Sequence, residues 1–120
     1  FADSICQPVS NQIQKRVYSF EKTAKFDSWL RSLADAAGKA RILARLRAAI
    51  GGNFGDGASV GDGVVEMRIH VGPGYRVYFT RAGKTVYWLL CGGDKSPQQA
   101  DIKRAKDLAD RIRQGIGDAL

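Results

Sequence analysis

The sequence predicts an α+β domain in which one curved, mainly antiparallel sheet carries helices mainly on one face, in the order β-α-α-β-β-β-α. Three observations lead there. Two apolar stripes at helical spacing follow one another between residues 23 and 50, β-rich runs separated by tight turns occupy residues 64–91, and one amphipathic stripe follows them. At 120 residues the chain has the size of a single domain, and it buries enough surface to fold without disulfides or a structural metal.

Taken in order, residues 1–12 are set apart as a flexible leader, added to the protein or clipped from a longer start, because the chain opens on Phe1 and not on methionine. Residues 13–120 are read as one domain. From Ile13 to Phe20 the residues alternate and favour β structure, which predicts a first strand. Thr23 is placed to cap a helix whose stripe is Phe26, Trp29, Leu30, Leu33 and Ala34, with Asp27 complementing the dipole of its first turn. The stripe breaks around Ala36 to Gly38 and resumes with Ile42, Leu43, Leu46, Ala49 and Ile50, so the two helices form a hairpin. Lys25, Arg31, Lys39, Arg41, Arg45 and Arg47 make that hairpin strongly basic.

Gly51 to Gly63 is rich in glycine, lacks the Gly-Lys-Ser/Thr ending of a nucleotide-binding loop, and is read as a connection. Three strands are expected next, Val64 to Val71, Tyr75 to Arg81 and Thr85 to Cys91, joined by Gly72-Pro73-Gly74 and Ala82-Gly83-Lys84 into a meander. Ser96 followed by Pro97 predicts the cap and first position of a last helix. Its stripe is Ile102, Ala105, Leu108, Ala109 and Ile112, opposite Lys103, Arg104, Lys106 and Arg111.

The charge balance is 19 Lys and Arg against 12 Asp and Glu, a net +7, which draws a protein towards phosphate backbones or an acidic partner. Apolar runs such as Val86 to Cys91 are far shorter than the ~20 residues of a membrane span, so no membrane partner is expected. No secretory signal is visible at Phe1-Ala2-Asp3-Ser4. Cys6 and Cys91 show no metal-ligand spacing, and a reduced cytoplasmic setting is the simplest reading.

Alternation places Glu66, Arg68 and His70 on one face of their strand, and Arg76, Tyr78 and Thr80 on one face of the next. Antiparallel pairing then brings Glu66, Arg68, His70, Arg76 and Tyr78 together. Two readings stand side by side: a solvated sheet face with weak ion pairs from Glu66 to Arg68 or Arg76, and a concave phosphate-binding surface with a tyrosine for a stacked base. His70 taken alone is more often structural than an acid or base. With no acidic cluster and no second histidine, neither a metal nor another cofactor is expected. Cys91 reads as a packing residue. If the protein cuts anything, the substrate is RNA, whose own 2′-hydroxyl is the nucleophile, so that the protein supplies cations and a proton donor and acceptor.

Four motifs in order carry a resemblance. They are Gly52-Asn53-Phe54-Gly55-Asp56, Gly61-Asp62-Gly63-Val64 with Glu66-Met67-Arg68-Ile69, Gly72-Pro73-Gly74-Tyr75-Arg76-Val77-Tyr78-Phe79, and Leu89-Leu90-Cys91-Gly92-Gly93-Asp94-Lys95-Ser96. From about residue 13 to about residue 112 the chain resembles the addiction-module killer branch of the RelE/ParE toxins. The resemblance implies a sheet wrapped by an N-terminal helical hairpin, a cognate helix-turn-helix antitoxin, and cleavage of messenger RNA in the A site of the 70S ribosome. It further implies that Arg76 contacts the scissile phosphate and that Arg68 and Lys95 are supporting cations, with His70 added as acid or base from its place on the polar face. Lys39, Arg41, Arg45 and Arg47 of the hairpin, with Tyr78, are then the RNA-binding residues. The chain departs from the family's nucleases near its C-terminus, where Gln98, Gln99 and Asp101 stand in place of a tyrosine or histidine. A gyrase poison and a non-catalytic module binding RNA or an antitoxin are therefore the alternatives.

Overall fold

The structure is a computed structural model that describes residues 18–94 and 97–115. Strand β1 (Ser19–Lys22) leads directly into helix α1 (Ala24–Ser32), then α2 (Ala36–Ile50), and four strands follow: β2 (Gly57–Gly61), β3 (Val64–Ile69), β4 (Tyr75–Arg81) and β5 (Val86–Gly93). Helix α3 (Gln98–Arg113) is the last element described. The strands form one mixed sheet in the order β1-β5-β4-β3-β2, with β1 parallel to β5 and the other neighbours antiparallel. The α+β class is as the sequence predicts. No helix among the described residues is long and apolar enough to cross a membrane.

Local chemistry explains where the helices begin. Thr23 caps α1, its hydroxyl accepting from the Phe26 N–H at 3.0 Å and donating to the Leu90 carbonyl at 2.6 Å, so the cap also ties α1 to β5. Asp35 caps α2 in the same way, accepting from the Gly38 N–H at 3.0 Å. The Tyr75 hydroxyl donates to the other carboxylate oxygen at 2.8 Å. At α3 the cap position is Pro97, with no side-chain capping bond; the predicted cap Ser96 lies outside the described residues, as do Ile13 to Val17 of the predicted first strand.

Helices cover both faces of the sheet, not mainly one. On one face Phe26 of α1 and Ile42, Leu46 and Ala49 of α2 pack with Met67, Ile69, Val77, Phe79 and Leu89. On the other, Ala105, Leu108 and Ala109 of α3 pack with Val64, Tyr78, Leu90 and Cys91. The last helix has its own apolar stripe to bury, and the face left open by the hairpin receives it. A bulge helps: Tyr78 pairs with Cys91 but Phe79 with Leu89, so Leu90 is the extra residue and joins Cys91 in the cluster under α3.

The glycine-rich segment is also more than a connection. Gly57 pairs with Met67 and Ser59 with Val65, adding β2 at the sheet edge. A run this rich in glycine shows no hydrophobic alternation, and its strand is held by main-chain bonds to β3, which the sequence pattern does not register.

Candidate functional site

The register of β3 on β4 sets Glu66 opposite Tyr78 and Arg68 opposite Arg76. The residues therefore share a sheet face, as alternation predicts, but α3 crosses that face and changes its character. Glu66 is only 1% exposed. Its Oε1 accepts from Arg68 Nε at 3.1 Å, while Oε2 accepts from the Tyr78 hydroxyl at 2.8 Å and from Gln98 Nε2 of α3 at 2.9 Å. Arg76 Nε stands 3.4 Å from the same Oε2. Burial by itself pushes this carboxyl's pKa up, but the bonds from Tyr78, Gln98 and Arg68 and the charge of Arg76 together hold it below the ordinary range.

Arg76 is mostly buried, its side chain 15% exposed, and its Nε and Nη1 have no hydrogen-bond partner among the described residues. Arg68 is more open and lies 3.8 Å from Asp56 Oδ1 as well. His70 falls just past the end of β3 and is 73% exposed, with Nε2 2.5 Å from Asp56 Oδ2. The hydrogen bond with His70 is the chief reason that Asp56 stays below the usual carboxylate pKa, with Arg68 adding to it. A pocket of about 170 Å³ opens here, lined by Arg68, Ile69, His70, Gly74, Tyr75 and Arg76. A larger depression of about 520 Å³ lies away from it, between the β2–β3 turn and α3, where Asp62, Asp107 and Asp110 alternate with Lys106 and Arg113.

Two sequence-predicted RNA contacts are corrected. Tyr78 is fully buried beneath α3 and its hydroxyl is spent on Glu66, so it offers no ring to a base. Desolvation, then the bonded and charged Glu66, push its pKa up, so it remains a donor. Arg45 does not face solvent as a free cation either. Its Nη1 donates to the Arg68 carbonyl at 2.6 Å and its Nη2 to the carbonyls of Phe54 and Asp56 at 3.0 and 3.2 Å. It clamps the glycine-rich segment against β3 and so places Asp56 beside His70. Arg41 and Arg47 are exposed on α2 and Lys39 is half-buried. Lys95 lies outside the described residues.

Asp56, Gln98 and Asp101 belong to the site's surroundings, although the sequence marks Gln98 and Asp101 only as replacing a tyrosine or histidine and gives Asp56 no role. In the sequence Asp56 stood out only as the end of the Gly52-Asn53-Phe54-Gly55-Asp56 motif. Asp101 is almost fully buried; Oδ1 accepts from Arg104 Nη1 at 3.0 Å and Oδ2 has no hydrogen-bond partner among the described residues. Burial raises its pKa, against the pull of Arg104 and with a further push from Asp94. Cys91 is a packing residue as expected, its thiol donating to the Asp101 carbonyl and its pKa pushed by burial up to about 12.

Fold and site define a small basic α+β protein whose sheet holds two arginines against one buried carboxylate. Over 90 residues the chain is 51% identical to an uncharacterized protein of Haemophilus influenzae, a match spanning 75% of this chain and 91% of that protein. It belongs to the same family as that protein. No protein-family model matches the chain, and no solved structure does.

Proposed function

We propose that this protein is the toxin of a type II toxin–antitoxin pair of the RelE/ParE kind, a metal-independent endoribonuclease that cuts messenger RNA on the ribosome in the cytoplasm. One observation carries the reading: Arg68, His70 and Arg76, chosen from sequence, line a single pocket in which Arg76 keeps two buried nitrogens, Nε and Nη1, unpaired among the described residues. Unspent donors in a partly water-excluded site suit the charge that develops on a phosphate under attack. With Nε2 engaged by Asp56, Nδ1 is the His70 nitrogen left to accept the proton of the 2′-hydroxyl. The 2′-oxygen then attacks phosphorus, the bond to the 5′-oxygen breaks, and that oxygen takes a proton from solvent. A 2′,3′-cyclic phosphate and a 5′-hydroxyl result. Arg41 and Arg47 provide exposed charge for the RNA backbone, and a helix-turn-helix antitoxin neutralises the protein.

The test is single-turnover cleavage of message bound to 70S ribosomes. Arg76→Lys keeps the charge but not the guanidinium fork and should slow the reaction on the order of a hundredfold. His70→Asn should also slow it. Parent protein that leaves the message whole while inhibiting gyrase supercoiling would replace this reading with the gyrase-poison alternative.

A further inference from the structure

Glu66 is the most costly feature of the site in physical terms. A buried carboxylate between two arginines is seldom more stable than well-packed apolar side chains of the same volume, so stability alone is a poor reason for one. Its oxygens are also divided unequally. Oε1 is taken by Arg68 Nε, whereas the neutral donors of Tyr78 and Gln98 occupy Oε2. Arg76 Nε is thereby kept at 3.4 Å from Oε2, close enough for the charges to attract, but Nε and Nη1 remain without a hydrogen bond among the described residues. The guanidinium is retained by charge while its Nε and Nη1 donors are unspent among the described residues.

We propose that Glu66 is the positioning residue of this site: its carboxylate fixes both Arg68 and Arg76, and the competition of Tyr78 and Gln98 for Oε2 leaves the Nε and Nη1 donors of Arg76 free for the phosphate of a nucleic-acid strand. The reaction that reads this out rests on the endoribonuclease reading, but the arrangement of the arginines does not. Contacts from β3, β4 and α3 meet on this one side chain, so the geometry of the pair depends on α3 being docked. Without the carboxylate, Arg76 is a nearly buried charge that has lost its ion pair with Glu66, and it will swing towards solvent or any available anion. Tyr78 and Gln98 act on Arg76 only through Glu66.

The experiment uses the full chain and follows the arginine Nε–H protons by NMR exchange, alongside the cleavage assay. In the parent, the Nε–H protons of Arg68 and Arg76 exchange much more slowly than those of the exposed Arg41 and Arg47. Exchange as fast as at those two positions overturns the proposal without any variant. In Glu66→Gln both protections are lost, and the cleavage rate at saturating ribosome falls on the order of a hundredfold with half-saturation unchanged. Tyr78→Phe removes a bond to the same carboxylate but leaves its charge. It lowers stability and keeps the protection of Arg68, but with one competitor for Oε2 gone Arg76 Nε bonds that oxygen, so the Arg76 proton exchanges still more slowly and the rate falls, by less than in Glu66→Gln. A purely structural Glu66 gives the opposite result, with both variants losing stability and neither altering the arginine protection. Should the parent fail to cleave, the endoribonuclease reading falls, and the exchange data alone decide whether Glu66 positions the arginines.

Discussion

Gly93 and Asp101 approach so closely that a Cβ on the glycine would lie 2.0 Å from the aspartate Oδ2. On the preceding residue, a Cβ on Gly92 would lie 2.3 Å from the ring of Trp29. The adjacent glycines let α1 approach one face of β5 and α3 the other. Gly93→Ala should therefore destabilise the protein by about 1–3 kcal/mol, the usual cost of overpacking. In an Asp101→Ala background the same change should cost clearly less, because the obstructing carboxylate is gone. Urea titrations of the four proteins in this cycle give the coupling, and additive effects would show that the two residues do not meet.

Asp101 and Glu66 should respond to pH in opposite senses. The folded-state pKa of Asp101 is raised above 3.8, so its contribution is fully present below that value and is lost as pH rises through the folded value. Asp101→Asn should then melt higher than the parent near neutral pH, with the advantage shrinking in acid. The folded-state pKa of Glu66 is lowered below 4.5, so its contribution is present above that value and disappears as pH falls through the folded value. Glu66→Gln should melt lower than the parent near neutrality, with the gap closing in acid. Thermal melts from about pH 7 to about pH 3 compare the two, and slopes of the same sign would contradict both assignments.

Thr23 serves two elements at once, so its replacements should separate. Thr23→Ala removes a helix cap and leaves the Leu90 carbonyl without its donor, at a cost of about 1–2 kcal/mol. Thr23→Ser keeps the hydroxyl and should remain within about 0.5 kcal/mol of the parent, since only a methyl is lost. Equal losses in denaturant melts would mean that packing of that methyl, not the cap, is what matters.

Arg45 should behave as a clamp and not as an RNA contact. Arg45→Ala gives up bonds from a charged donor and should cost about 2 kcal/mol. Amide exchange should quicken at Arg68, whose N–H donates to the Asp56 carbonyl at 3.0 Å. Arg41→Ala and Arg47→Ala should instead leave stability within about 0.5 kcal/mol and weaken RNA binding in a salt-dependent way. If Arg45→Ala melts like the parent while losing RNA affinity, the clamp assignment is wrong.

Much of the site was legible because strand alternation is a local rule. It placed Glu66, Arg68, Arg76 and Tyr78 on one face before any pairing was known, and the observed register agrees. His70 was placed on the same face, but β3 ends at Ile69, and the side chain turns out to Asp56. The partner itself was obscured, since nothing in a glycine-rich run says that it will pair along β3 or that Arg45 of a distant helix will hold it there.

The sequence by itself determined the α+β class, the helix stripes, the cap at Thr23 and the composition of the polar face, all of which follow from periodicities of two and of three to four residues. Only the tertiary structure decided which sheet face α3 would cover. An amphipathic stripe states that a helix has a side to bury but carries no information on what it will be buried against. That choice turned Tyr78 from an expected base platform into a buried donor, and an expected surface ion pair at Glu66 into a buried hub. The difference is physical: charge and pattern belong to the chain, whereas desolvation belongs to the packing of one element on another.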